Sequence, residues 1–141
     1  MGITSKLRGD HDSLLRMVDM FCEVLALPVP PPGLDLVKFR HMFSKELLGH
    51  LTREDWLLYP SLLQSSDKRI SVTAQEFIDE MGGLSQAYKM WSANWPTEAA
   101  RLNWDEFVAE TTELLSLLTK RIRRENDELY PLVEVSFTAA A

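Results

Sequence analysis

The chain has 141 residues, is 45% hydrophobic and carries a formal net charge of −6, which fits one domain, residues 1–141, with an apolar core of its own. With 15 basic against 21 acidic side chains it lacks the cationic face that nucleic acid requires. No apolar run is long enough to cross a membrane, and none follows Lys6 and Arg8 as a secretory signal, so a soluble, cytoplasmic monomer or homodimer is predicted.

Apolar residues recur at helical spacing in four blocks, and no alternating strand pattern competes. The first helix is predicted over about Thr4 to Leu27, with a seam of Leu7, Leu14, Val18, Phe21 and Leu25; the proline-rich stretch Pro28 to Gly33 ends it. Cys22, the single cysteine, cannot form an internal disulfide and is expected as a buried free thiol. The second helix begins near Asp35, read as its N-cap, and carries Leu36, Phe39, Phe43, Leu47, Leu57 and Leu58 to about Gln64. After a polar turn, Ser65 to Arg69, the third starts near Ser71 or Thr73, where Thr73 and Glu76 have capping-box spacing. Its seam is Phe77, Leu84, Tyr88 and Trp91. Gly82 and Gly83 each weaken it by roughly 1 kcal/mol relative to alanine and predict a bend. A loop containing Pro96 leads to the fourth helix, with a capping signal at Asn103 and Glu106 and a seam of Phe107, Leu114, Leu118 and Leu132. Four helices with short connections bury their stripes most simply as an all-α, antiparallel up-down-up-down four-helix bundle.

The sequence also repeats. HLTREDWLLYPSL from His50 matches RIRRENDELYPLV from Arg121, pairing Glu54 with Glu125, Tyr59 with Tyr130 and Pro60 with Pro131, and Asp10-His11 aligns at nearly the same offset with Glu80-Met81. Two similar helix pairs would place a site between them, on the bundle axis.

Polar residues interrupt the apolar seams where the chemistry is to be sought. Steps of three and four along the second helix give Phe39, Phe43, Leu47, His50, Glu54 and Leu57, so His50 and Glu54 share the core-facing stripe. The first helix gives Leu7, His11, Leu14 and Val18, and the fourth gives Leu114, Leu118, Arg121, Glu125 and Leu129. A buried carboxylate without a partner costs several kcal/mol, so these groups must face one another, a metal or trapped water. Helix rise puts all of them near one layer of the bundle.

The run LRGDHDSLL around His11, the HLTRE segment followed by LLYPSL, and ENDELYPL in the last helix resemble the corresponding segments of hemerythrin-like (HHE cation-binding) domains over most of the chain. In that family a histidine of the first helix, an HxxxE pair of the second, a histidine of the third and an HxxxE pair of the fourth hold two iron ions bridged by the glutamates. The resemblance implies His11, His50, Glu54 and Glu125 as metal ligands. Met81 and Arg121 stand where the other two histidines would be, and both of those would belong to the same iron. An intact di-iron centre is therefore not expected, and at most one divalent ion, iron or zinc, is. Two alternatives stay open: a single-ion site on two imidazoles and two carboxylates, or a metal-free core in which the Arg121 guanidinium forks between Glu54 and Glu125.

The remaining candidates have plainer readings. His41 is rotated about 180° from His50 and is expected at the surface. Tyr59 and Tyr130 are expected to pack at the bundle end with wet hydroxyls and no catalytic role. Trp91, Trp95 and Trp104 are expected to cap the core, and of Lys120, Arg121, Arg123 and Arg124 only Arg121 faces inward. No phosphate loop, nucleophile elbow or Cys–His pair appears. The expectation is a non-enzymatic regulatory or interaction protein with a protein partner, the alternative being a single-metal sensor or carrier responding to oxygen, nitric oxide or metal supply.

Overall fold

A computed structural model describes residues 2–140, with side chains through residue 136. Its described elements are helical throughout. The first rod is α1 (Gly2–Leu25). The second comprises α2 (Gly33–Thr52), a π-helical turn (Arg53–Leu58) and α3 (Tyr59–Leu63). The third is split into α4 (Lys68–Met81) and α5 (Leu84–Asn94). A short α6 (Thr97–Leu102) leads to the fourth rod: α7 (Trp104–Arg124), a second π-helical turn (Glu125–Leu129) and α8 (Tyr130–Ala140). α1 packs on α2 and α7, α4 on α3 and α8, and α5 on α7, giving the antiparallel four-helix bundle read from the seams.

The two π-helical turns have one cause. Pro60 and Pro131 carry no backbone N–H and would collide with the carbonyl four residues earlier in a regular α-helix. The turn before each proline widens instead, so that the N–H of Tyr59 donates to the carbonyl of Glu54 and that of Tyr130 to the carbonyl of Glu125. This shift corrects one sequence expectation. Leu57, placed on the inner stripe by regular spacing, is 61% exposed, while Leu58 and Tyr59 are buried.

Local chemistry corrects others. The second rod starts at Gly33 after an extended Pro32, so Asp35 lies inside the first turn, where the helix dipole favours a carboxylate, and caps nothing. α4 starts earlier than expected because Asp67 is an effective N-cap, its carboxylate accepting the Arg69 N–H at 3.0 Å; Thr73 and Glu76 fall inside the helix. The loop after Pro96 is the helix α6. Asn103 turns its side-chain amide back to the Ala99 carbonyl and leaves α7 without a side-chain cap. Cys22 is exposed, because one residue beyond the core-facing Phe21 is a turn of about 100° toward solvent. Leu132 is half-buried, and Val133 takes the fully buried position.

The predicted bend at Gly82 and Gly83 is present. A Cβ at Gly82 would fall 2.5 Å from the Ile78 carbonyl oxygen, so the bend excludes a side chain there. Trp91, Trp95 and Trp104 are buried, their indole N–H groups donating to Thr111, Glu110 and the Leu27 carbonyl. They belong to an apolar cluster that includes Phe21, Phe43 and Phe107, whereas Leu7, Leu58, Phe77 and Leu129 form a second one. Where one cluster gives way to the other lie His11 on α1, His50 and Glu54 on the second rod, and Arg121 and Glu125 on the fourth, with Met81 of α4 packed against the second cluster. The polar layer is thus sealed above and below by apolar side chains.

Candidate metal centre

His11 and His50 project from α1 and α2, and Glu54 and Glu125 from the two π-helical turns. All four are 0–1% exposed. Their ligand atoms lie within 4.8 Å of one another. His11 Nε2 stands 3.1 Å from His50 Nε2 and 3.1 Å from Glu125 Oε1, and His50 Nε2 stands 3.0 Å from Glu54 Oε1. The four residues singled out in the sequence therefore converge on one point, while His41 is exposed.

The outer nitrogens fix which way the rings present their lone pairs. His50 Nδ1 faces Asp10 Oδ2 at 3.0 Å, and His11 Nδ1 faces Asn126 Oδ1 at 2.7 Å. An ionised carboxylate and an amide oxygen only accept, so each Nδ1 donates, and in a neutral ring Nε2 is left with a lone pair directed inward. A further observation points to a cation. Glu125 Oε1 is buried with no hydrogen-bond partner; His11 Nε2 is close but aims no proton at it. Once both Nε2 atoms are deprotonated, two imidazole nitrogens and an orphaned carboxylate oxygen make a donor set that a divalent transition ion satisfies, and tetrahedral donors at ordinary bond lengths lie about 3.3 Å apart, near the shortest spacings seen.

Arg121, 2% exposed, bridges the two glutamates. Its Nη2 donates to Glu54 Oε1 at 3.3 Å and to Asp55 Oδ1 at 2.7 Å, its Nε to Glu125 Oε2 at 3.2 Å, and its Nη1 to the Met81 carbonyl at 3.2 Å. The expected fork is real. At Glu125 it takes Oε2 and leaves Oε1 to the histidine side, whereas at Glu54 it shares Oε1 with His50 Nε2, so an ion held by that oxygen would share it with Arg121. Three carboxylates face this one guanidinium.

Electrostatics follows from these contacts. Burial alone would raise the Glu54 carboxyl, but the His50 hydrogen bond and charge, with Arg121, hold it down at about 2. Glu125 moves the opposite way, well above the usual carboxylate range, through burial and the adjacent Glu54 charge. Burial depresses His11; at His50 burial acts in the same direction but is outweighed by hydrogen bonds to Glu54 and Asp10, and its pKa is raised. Arg121 is desolvated yet held charged by Glu125, Glu54 and Asp55.

Several contributors, Asp55 among them, were missed in the sequence or misread. Tyr59 and Tyr130 are buried rather than wet: Tyr59 donates to Glu125 Oε2 at 2.6 Å, and Tyr130 donates to Glu54 Oε2. Their match across the repeat was the signal, since groups related by the repeat as the glutamates are reach the same axis. Asp10 lies three residues after Leu7 and four before Leu14, spacing that places it on the seam beside His11. Asn126 has a similar signal, four residues after Ile122 and three before Leu129, both of them buried.

The fold and donor set together define a helical-bundle domain whose core site is built from histidines and carboxylates for a metal ion. The chain belongs to the hemerythrin HHE cation-binding domain family, whose model matches residues 2–133, and that membership implies metal binding. Curated proteins described as iron-sulfur cluster repair protein YtfE, from Escherichia coli O1:K1 / APEC, Escherichia coli strain SMS-3-5 and Escherichia fergusonii, are each 31% identical to it over 109 residues, 74% of this chain and 48% of theirs. The chain therefore spans about half the length of the curated relatives it matches. No solved structure gives a significant match.

Proposed function

We propose that this domain binds a single divalent transition-metal ion through His11, His50, Glu54 and Glu125, and that Arg121 takes the place of a second ion. The observation carrying the reading is the orphaned Glu125 Oε1 facing two inward imidazole nitrogens. Iron is favoured over zinc by the family and by the role printed for the relatives, although a mixed nitrogen and oxygen donor set accepts either. The domain acts without turnover of its own, as a metal-dependent regulator or carrier whose state is passed to a protein partner. Supporting this, all four donors are buried, which suits holding an ion, or a diatomic on it, better than admitting a bulky substrate. No helix among the described residues is long and apolar enough to cross a membrane, so nothing ties this role to a bilayer.

The test is the metal content of untagged protein, purified without chelator, beside His50→Ala. About one equivalent in the parent and a loss of most of it in the variant are expected. A parent that remains metal-free after anaerobic incubation with ferrous iron and with zinc would return the site to a purely ionic core.

A further inference from the structure

Beyond the four donors, the two histidines are supported differently. His11 leans on a neutral amide, Asn126, whereas His50 leans on a carboxylate. That carboxylate is unusually well held. Asp10 is 4% exposed, its Oδ2 takes the Arg53 Nε at 3.1 Å and Nη2 at 2.8 Å besides His50 Nδ1, and its Oδ1 lies 3.3 Å from Lys6 Nζ. Asp10 and Arg53 sit on different rods, so the pair also staples α1 to the second rod across the site. A carboxylate behind an imidazole fixes the ring's rotation and makes its inner nitrogen a stronger donor than an amide does.

We infer that Asp10 is a positioning residue for the ion, making His50 the dominant nitrogen donor of an asymmetric site through the Asp10–His50 hydrogen bond. The inference rests on the ion-binding reading of the site. Asp10 touches no ion itself; it acts through His50. If it served only as a staple between rods, its influence would follow the Arg53 contact rather than the His50 contact.

The test is a competition titration of the full chain with Co(II) and Zn(II) against a chromophoric chelator, alongside the visible spectrum of the Co(II) form, for the parent, Asp10→Asn and Arg53→Gln. Asp10→Asn keeps the size of the side chain and removes its charge. It is expected to weaken binding about 10- to 100-fold and to shift the Co(II) absorption, while Arg53→Gln stays within about 3-fold of the parent. Parent-like affinity and spectrum in Asp10→Asn, or an equal loss in both variants, would overturn the inference. A parent that binds neither ion overturns the ion-binding reading itself, which is a separate outcome. Should Asp10→Asn fail to fold, Asn126→Asp asks the converse: an anionic partner for His11 is expected to tighten binding several-fold, and unchanged affinity counts against Asp10's role.

Discussion

The two halves of the site are built on the same device and use it differently. On the second rod His50 precedes Glu54 by four residues, and on the fourth Arg121 precedes Glu125 by four; each glutamate opens a widened turn, and each turn is followed by a Tyr-Pro pair. His50 offers a lone pair that a metal can take and a proton can compete for. Arg121 offers a charge that nothing removes. One half offers donors that an exchangeable cation could take, the other carries a permanent charge, and the paired glutamates face both.

The largest expected break of this comparison is Arg121→Ala. It leaves Glu54, Glu125 and Asp55 without their shared donor in a layer sealed by apolar clusters, and the loss in the metal-free protein should be about 3–5 kcal/mol in chemical denaturation. Saturating divalent ion should recover part of it, because ligand binding to the folded state alone is stabilising. A midpoint like the parent's without metal would show that the guanidinium does not hold the core together.

The tyrosines sharpen the comparison at smaller amplitude. Tyr130 donates to Glu54, which its neighbours keep ionised, and Tyr59 donates to Glu125, which burial and Glu54 push toward the protonated form. Hydrogen bonds to charged acceptors contribute roughly twice those to neutral ones. In the metal-free protein Tyr130→Phe should therefore cost about 1.5–3 kcal/mol and Tyr59→Phe about 0.5–1.5. Equal losses in parallel denaturation curves would mean that the two glutamates share their charge evenly.

What the sequence disclosed follows the same division. The rods, the bend at Gly82 and the inward turn of His11, His50, Glu54, Arg121 and Glu125 are all consequences of local periodicity, and local periodicity is written in one dimension. The contacts behind them are not. Asn126 reaches His11 and Asp55 reaches Arg121 from positions beside the glutamates, and spacing alone does not say which group each one meets. Asp10 is on the seam but is overshadowed by the histidine beside it. Cap assignments failed where a competing side chain had better geometry, as Asp67 did over Thr73.

Leu57 gives the smallest effect and the most direct test of the widened turn. In an unbroken α-helix it would share the stripe of His50 and Glu54, and truncating it would leave a cavity worth about 2–5 kcal/mol. With Pro60 forcing the turn open, Leu57 points to solvent at 61% exposure and Leu58 is buried at 4% in its stead. Leu57→Ala should then change stability by no more than about 0.5 kcal/mol, while Leu58→Ala carries the loss expected of a core leucine. If the two variants exchanged roles in thermal denaturation, the second rod would be regular through Pro60. Glu54 would then lose the local geometry that brings its Oε1 against both His50 and Arg121.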